Sequence, residues 1–230
     1  MDYRPFEVMH LVARDLVCHR DSVPVFEPVS FEAKNAGLIW LQGENGAGKT
    51  TLLRMLAGFT RSSAGSLELN ERPFHQWQQA MGCAPLYLGH SLGLNPNLTA
   101  LENLNGLIGL SHGLGWQADI GKLTNVLGQA GLWGKEDQPV RLLSAGQKKR
   151  LVLAQLLWKP VAPIWILDEP FSAMDVQAVQ ALIRVMARHL SAGGIILFSS
   201  HDTMQALACL NPSRVEIKSA QADTRQVHER

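Results

Sequence analysis

The segment Gly43-Glu44-Asn45-Gly46-Ala47-Gly48-Lys49-Thr50 constrains the fold more than any other stretch of this chain. It fits the pattern G-x-x-x-x-G-K-[ST]. The apolar run Leu38 to Gln42 predicts a strand entering it, and Thr50 to Ala57 predicts a helix leaving it, capped at Gly58. The glycines let the backbone curl so that successive N–H groups point inward, where they match phosphate oxygens. A helix N-terminus adds partial positive charge at the same spot. Lys49 supplies a full charge, and the Thr50 hydroxyl is a hard oxygen ligand suited to Mg²⁺, with Thr51 beside it. Gly43 to Thr51 is therefore a candidate nucleotide-binding loop. The alternative, a glycine-rich helix entry without a ligand, explains the glycines but not the Lys-Thr pair.

The rest of the chain reads as an α/β fold. Val8–Leu11, Val25–Phe31 and Ser66–Leu69 are candidate strands around the loop and its helix. From Leu98 to Lys159 the character changes. Leu101, Leu104, Leu107, Ile108 and Leu110 recur at helical spacing, as do Leu123, Val126 and Leu127. Frequent glycines there predict short or loosely packed helices. Ile164–Leu167 is a short apolar run typical of a buried parallel strand. Asp175 to His189 reads as an amphipathic helix, Gly193-Gly194 as a turn, and Ile195–Ser199 as another buried strand. This order predicts a parallel sheet with a helical insertion, and a frayed polar tail from Ser219 to Arg230.

At 230 residues the chain is long enough for one large domain with a smaller lobe, and at 46% hydrophobic it can bury a sizeable core. A formal charge of +1 gives no electrostatic footprint for nucleic acid. Met1 to His10 carries Asp2, Arg4 and Glu7 and has no apolar core, so no signal peptide is expected. No apolar run approaches the ~18 residues a membrane span needs. Cys18, Cys83 and Cys209 are far apart and without metal-ligand spacing, and read as reduced thiols of a cytoplasmic protein.

Four downstream segments carry chemistry. Ile164-Trp165-Ile166-Leu167-Asp168-Glu169 delivers two carboxylates at the C-terminal end of a buried strand, where ligands bind in open α/β sheets. Asp168 is placed to hold Mg²⁺ through water, and Glu169 to polarise an attacking water as catalytic base. Taken alone the pair could cap a helix; beside a phosphate loop that reading is weak. Leu143-Ser144-Ala145-Gly146-Gln147 precedes Lys148, Lys149 and Arg150, and by itself suits an ordinary Ser N-cap on a basic helix. Ser172-Ala173-Met174-Asp175 places Asp175 at a helix start. His201 follows the last buried strand.

Together these segments resemble the ATP-binding-cassette (ABC) ATPases, over about Val8 to Ser213. Ser144 to Gln147 resembles the LSGGQ signature, with Ala145 for the first glycine of its pair. Its interval to Asp168 is similar to the family's. The resemblance implies a P-loop ABC ATPase fold, with a mixed sheet core, an antiparallel β-subdomain and a helical insertion subdomain. The single ABC domain would span 1–218, with a RecA-like core over about 1–90 and 160–218 and a helical subdomain over about 91–159. It implies ATP and Mg²⁺ as cofactors, and two subunits sandwiching two ATPs head to tail. Ser144, Gly146 and Gln147 then bind ATP held by the opposite subunit, Asp175 communicates across the dimer, and catalytic His201 contacts the γ-phosphate.

Two departures narrow the branch. The family's adenine-stacking aromatic falls at Arg20, whose guanidinium can stack on a purine and attract phosphate. A solvated turn arginine explains the residue equally well. The family's Q-loop glutamine is replaced by Ser91, next to His90. The stretches Cys18-His19-Arg20-Asp21, Tyr87-Leu88-Gly89-His90 and Leu98-Thr99-Ala100-Leu101-Glu102-Asn103-Leu104 are similar to the ATP-binding subunits that serve bacterial cytochrome c maturation. That branch implies haem handling or export at the cytoplasmic face of the inner membrane, with integral-membrane partners, the maturation proteins B, C and D. An exporter of another small molecule or lipid, a soluble ABC ATPase and a non-hydrolysing scaffold are the competing readings.

Overall fold

The computed structural model describes residues 6–76, 84–112, 116, 119–158, 162–200 and 205–220. Cys83, His201 and the tail from 221 onward lie outside the described residues. The chain divides into two compact units. The first holds 1–87, 162–169 and 188–230, the second 88–161 and 170–187.

Among the described residues the first unit contains two larger sheets and a two-stranded hairpin. An antiparallel sheet has the order β4-β1-β6-β7, with β1 His10–Val17, β4 Val29–Lys34, β6 Ala64–Leu69 and β7 Arg72–Pro73. β4 alternates buried and exposed residues, the period-two pattern of a sheet with one covered face. Its start at Val29 corrects the expected strand Val25–Phe31, and β1 extends well past the expected Val8–Leu11. The turn chemistry explains the first change. β2 (His19–Arg20) and β3 (Val23–Pro24) form a tight hairpin, Arg20 opposite Val23, around Asp21 (φ 50°) and Ser22 (φ 67°). Two successive left-handed residues suit a two-residue hairpin turn.

The second sheet has the order β11-β5-β10-β9-β8, with β5 Leu38–Gln42, β8 Leu86–Leu88, β9 Ile164–Leu167, β10 Ile195–Ser199 and β11 Ser213–Glu216. β5, β9, β10 and β11 run parallel. Every residue of β9 and β10 is buried, as continuous apolar runs in a covered parallel sheet should be. β8 and β11 were not anticipated. Both are short, and β11 reads Ser-Arg-Val-Glu, without an apolar run to betray it. Helix α1 (Lys49–Leu56) packs on β9 and β10 through the fully buried Leu52, Leu53 and Leu56. It ends as expected at Gly58 (φ 86°): Gly58 N–H donates to Met55 O and Phe59 N–H to Arg54 O, the paired bonds of a Schellman cap.

The second unit is helical: α2 (Ala100–His112), α3 (Ile120–Gln129) and α4 (Ala145–Ala154) close around Leu104, Ile108, Leu123, Leu127, Leu132 and Leu151. The interior glycines do not shorten α2, which runs 13 residues. They make room instead. A Cβ on Gly128 would lie 2.0 Å from the Trp133 indole, and one on Gly109 3.1 Å from Trp116. Asn103, 6% exposed, ties the segment before α2 to the helix: its amide donates to the carbonyls of Asn95, Leu98 and Thr99, and its oxygen accepts from Asn95 N–H. The last long helix, α5 (Val176–Ser191), is capped by Asp175, whose Oδ1 accepts from Ala178 N–H at 2.8 Å.

In the last turn of α5, His189 is fully buried in the first unit, stacked on Trp165 at 3.8 Å, with Phe6 edge-on at 5.3 Å. Nε2 donates to Pro163 O at 3.2 Å. Burial lowers its pKa from 6.5 to about 4, against the opposing bonds to Pro163 and Ile195. The folded state therefore binds its proton more weakly than the unfolded chain. The stability this confers is complete above pH 6.5 and is lost as pH falls toward 4. The loss amounts to about 3 kcal/mol at ~1.4 kcal/mol per pKa unit. Urea midpoints at pH 7 and pH 4.5 should show it, and His189→Phe should fall less on acidification than the native chain. Equal acid sensitivity of the two would exclude His189 as the source.

Candidate active site

The parallel register brings three strand ends to one edge. Leu41 of β5 is level with Ser199 of β10, and Phe198 with Leu167 of β9. The glycine loop, Asp168-Glu169 and Ser199-Ser200 therefore emerge together at the C-terminal edge, where open parallel sheets bind ligands.

The loop is shaped by its glycines. Gly48 (φ 100°) caps α1, and a Cβ there would lie 2.7 Å from Phe26 and 3.0 Å from Val25, so any larger residue is both strained and crowded. Val25 and Phe26 follow the hairpin that carries Arg20, which is exposed near the hairpin turn. At Gly46 (φ 83°) a Cβ would meet nothing within 4 Å, so the loop's outer side is open to a ligand. Glu44 and Asn45 are exposed while Ala47 is buried and Ala47 N–H donates to Glu44 O. Thr51 is half-buried on α1.

Lys49, 6% exposed, reaches back across the loop: Nζ donates to Gly43 O at 2.7 Å and Glu44 O at 2.9 Å. Burial pushes its ammonium below the usual lysine range, and the carboxylates of Glu169 and Asp168 work against that shift. The cation thus sits in the field of the acidic pair. Thr50 Oγ1 donates to Asp168 Oδ2 at 2.8 Å, and Ser199 Oγ donates to Asp168 Oδ1 at 2.7 Å. Asp168 is 2% exposed, so both oxygens of a buried carboxylate are satisfied by hydroxyls. Glu169 adopts φ 49°, a left-handed conformation rare for a residue with a side chain, and its N–H donates to Ser199 Oγ at 3.0 Å. Thr50 and Asp168 present hard oxygens within one hydrogen bond of each other, a donor set that fits Mg²⁺.

In the second unit Ser144 caps α4. Its Oγ accepts from Gln147 N–H at 3.2 Å, and Gln147 Oε1 accepts from Ser144 N–H at 2.9 Å, a reciprocal capping box. A Cβ on Gly146 would lie 3.2 Å from the carbonyl of Ala173 (φ 58°), so the signature glycine leaves room for the turn that carries Asp175. His90 and Ser91 are both exposed.

Sequence reasoning missed Ser199. The available signal was a pair of hydroxyl residues, Ser199-Ser200, ending a run of four large apolar residues at the ligand-binding edge of the sheet.

The ABC transporter family model matches residues 26–172. The chain is 42% identical over 194 residues to the cytochrome c biogenesis ATP-binding export proteins CcmA of Shigella flexneri and Escherichia coli K12, covering 84% of this chain and 90% of each relative. A solved ATP-binding subunit of an ABC transporter superposes with a TM-score of 0.75 at 25% identity, over 90% of this chain and 85% of that one. Two sheets and a helical unit, a glycine loop facing a buried acidic pair, and these relatives agree: the chain belongs to the ABC transporter family and is one of its ATPases.

Proposed function

We propose that the chain is the ATP-hydrolysing subunit of a membrane ABC complex that powers haem handling or export for c-type cytochrome maturation. The observation that carries this reading is the 42% identity to CcmA export proteins over 90% of their length. The subunit would be peripheral, at the cytoplasmic face of the bacterial inner membrane, paired with a second copy and with the integral-membrane maturation proteins B, C and D. Among the described residues no helix is long and apolar enough to cross a membrane, so a membrane task needs such partners.

The roles follow from the chemistry of the site. Loop N–H groups from Gly43 to Thr51 and the Lys49 ammonium hold the phosphates, with Arg20 against the base. Mg²⁺, held by Thr50 and through water by Asp168, supplies charge neutralisation on the phosphate oxygens when bound. Glu169 accepts the proton of the water that attacks the γ-phosphorus, as the bond to the bridging oxygen breaks. Ser144, Gly146, Gln147 and Asp175 complete the site of the second copy, and His201 contacts the γ-phosphate. The capping box uses only the acceptor oxygens of Ser144 and Gln147, so the Ser144 hydroxyl proton and the Gln147 amide N–H groups stay free to donate to a phosphate. A RecA-like core over about 1–90 and 160–218 carries the loop, and a helical subdomain over about 91–159 carries the signature.

The partner is expected to dock an amphipathic helix near Leu92 and Leu94, both half-buried, just before α2. Leu92→Asp should loosen co-purification with the maturation membrane proteins from detergent while leaving ATP binding intact. A native chain that ignores those proteins when co-expressed would overturn the haem branch and leave the ATPase standing.

A further inference from the structure

We propose that Ser199 is a positioning residue for ATP hydrolysis, a single buried hydroxyl that sets the acidic pair in place. The inference presupposes the roles proposed above for Asp168 and Glu169. A serine hydroxyl has one proton and two lone pairs. Here the proton goes to Asp168 Oδ1 at 2.7 Å, and a lone pair takes the Glu169 N–H at 3.0 Å. Ser199 is fully buried and Asp168 nearly so, so water cannot stand in for either bond without a cavity.

The two bonds act on different parts of the chemistry. The one to Oδ1 fixes the carboxylate plane of Asp168. The other oxygen, Oδ2, takes the Thr50 hydroxyl. Thr50 is also the candidate cation ligand, and once its hydroxyl turns to a cation, Ser199 is what keeps Asp168 oriented. The bond to Glu169 N–H helps hold a residue in a left-handed conformation, and that conformation sets where the carboxylate of the base points. Ser199 reaches both because β10 lies between β5, which leads to the loop, and β9, which leads to the acids. Among the described strands, β10 is the one that pairs with both β5 and β9.

Threonine and valine at this position have the same shape and differ by the hydroxyl, so comparing them removes packing from the test. In the full-length chain, Ser199→Val should show a kcat roughly tenfold below that of Ser199→Thr, the size expected for a lost hydrogen bond to a charged group. It should also need several-fold more Mg²⁺ for half-maximal rate. The KM for ATP should agree within about twofold, and both variants should stay folded at the assay temperature, with Ser199→Val melting lower because it leaves Asp168 Oδ1 and Glu169 N–H unpaired. Equal kcat and equal Mg²⁺ dependence would overturn the proposal, as would a change confined to KM. If neither branched variant folds, Ser199→Ala carries the test: a tenfold lower kcat at unchanged ATP affinity, in protein still folded at the assay temperature, supports positioning, and native kcat overturns it. Glu169→Gln run alongside separates the two failures, because activity surviving in that variant refutes the base itself and not Ser199.

Discussion

Lys49→Ala should abolish useful ATP binding. The side chain is nearly buried, holds two carbonyls of its own loop, and lies in the field of Glu169 and Asp168. A phosphate group would take over the role of those carboxylates and keep the ammonium charged. Removing one partner of a buried charge pair costs roughly 2–5 kcal/mol, and each ~1.4 kcal/mol is tenfold in affinity. A nucleotide titration should therefore show a loss of about thirtyfold to several thousandfold. The variant also forfeits the two loop bonds, so thermal unfolding should be followed in parallel. Wild-type affinity in a folded variant would rule out the loop as the phosphate site.

Glu169→Gln should keep ATP binding and stop turnover. The amide preserves the size of the side chain and cannot accept a proton from water, and loss of a general base costs about 10²–10⁴-fold. The backbone bond from Glu169 to Ser199 does not depend on the side chain, so the local conformation should persist. ATP that binds and is not hydrolysed should accumulate a closed pair of subunits, visible as a dimer on size-exclusion chromatography with Mg-ATP. Unchanged turnover would remove Glu169 from the base role.

The local motifs were legible in the sequence because each is a short run with its own physics. The glycine loop announces itself by its spaced glycines followed by a Lys-Thr pair, and Gly58 by its place after a periodic helix. Continuous apolar runs gave β5, β9 and β10. Where the pattern was thin the reading slipped. β11 has one apolar residue in four and gains its place from pairing with β5. The glycines of the helical unit looked like breaks, and two of them are seats for tryptophans that follow within seven residues, where the helical period alone does not show that the indole folds back. Ser144 was read both as a cap and as part of a signature, and in the single chain it caps.

By itself the sequence determined that this chain carries a glycine loop of the phosphate-binding pattern, an acidic pair at a strand end and a signature-like helix start, and so which family it resembles. The tertiary structure alone decided that β10, last of the three in the chain, lies between β5 and β9. Parallel strands are joined by long crossovers, so the order in which they pair is set by how helices and strands pack, and no local pattern records it. That order places Ser199 against Asp168 and Glu169, and Thr50 against the far oxygen of Asp168. Three motifs spread along the chain from Gly43 to Ser199 become one site because the sheet closes in that order.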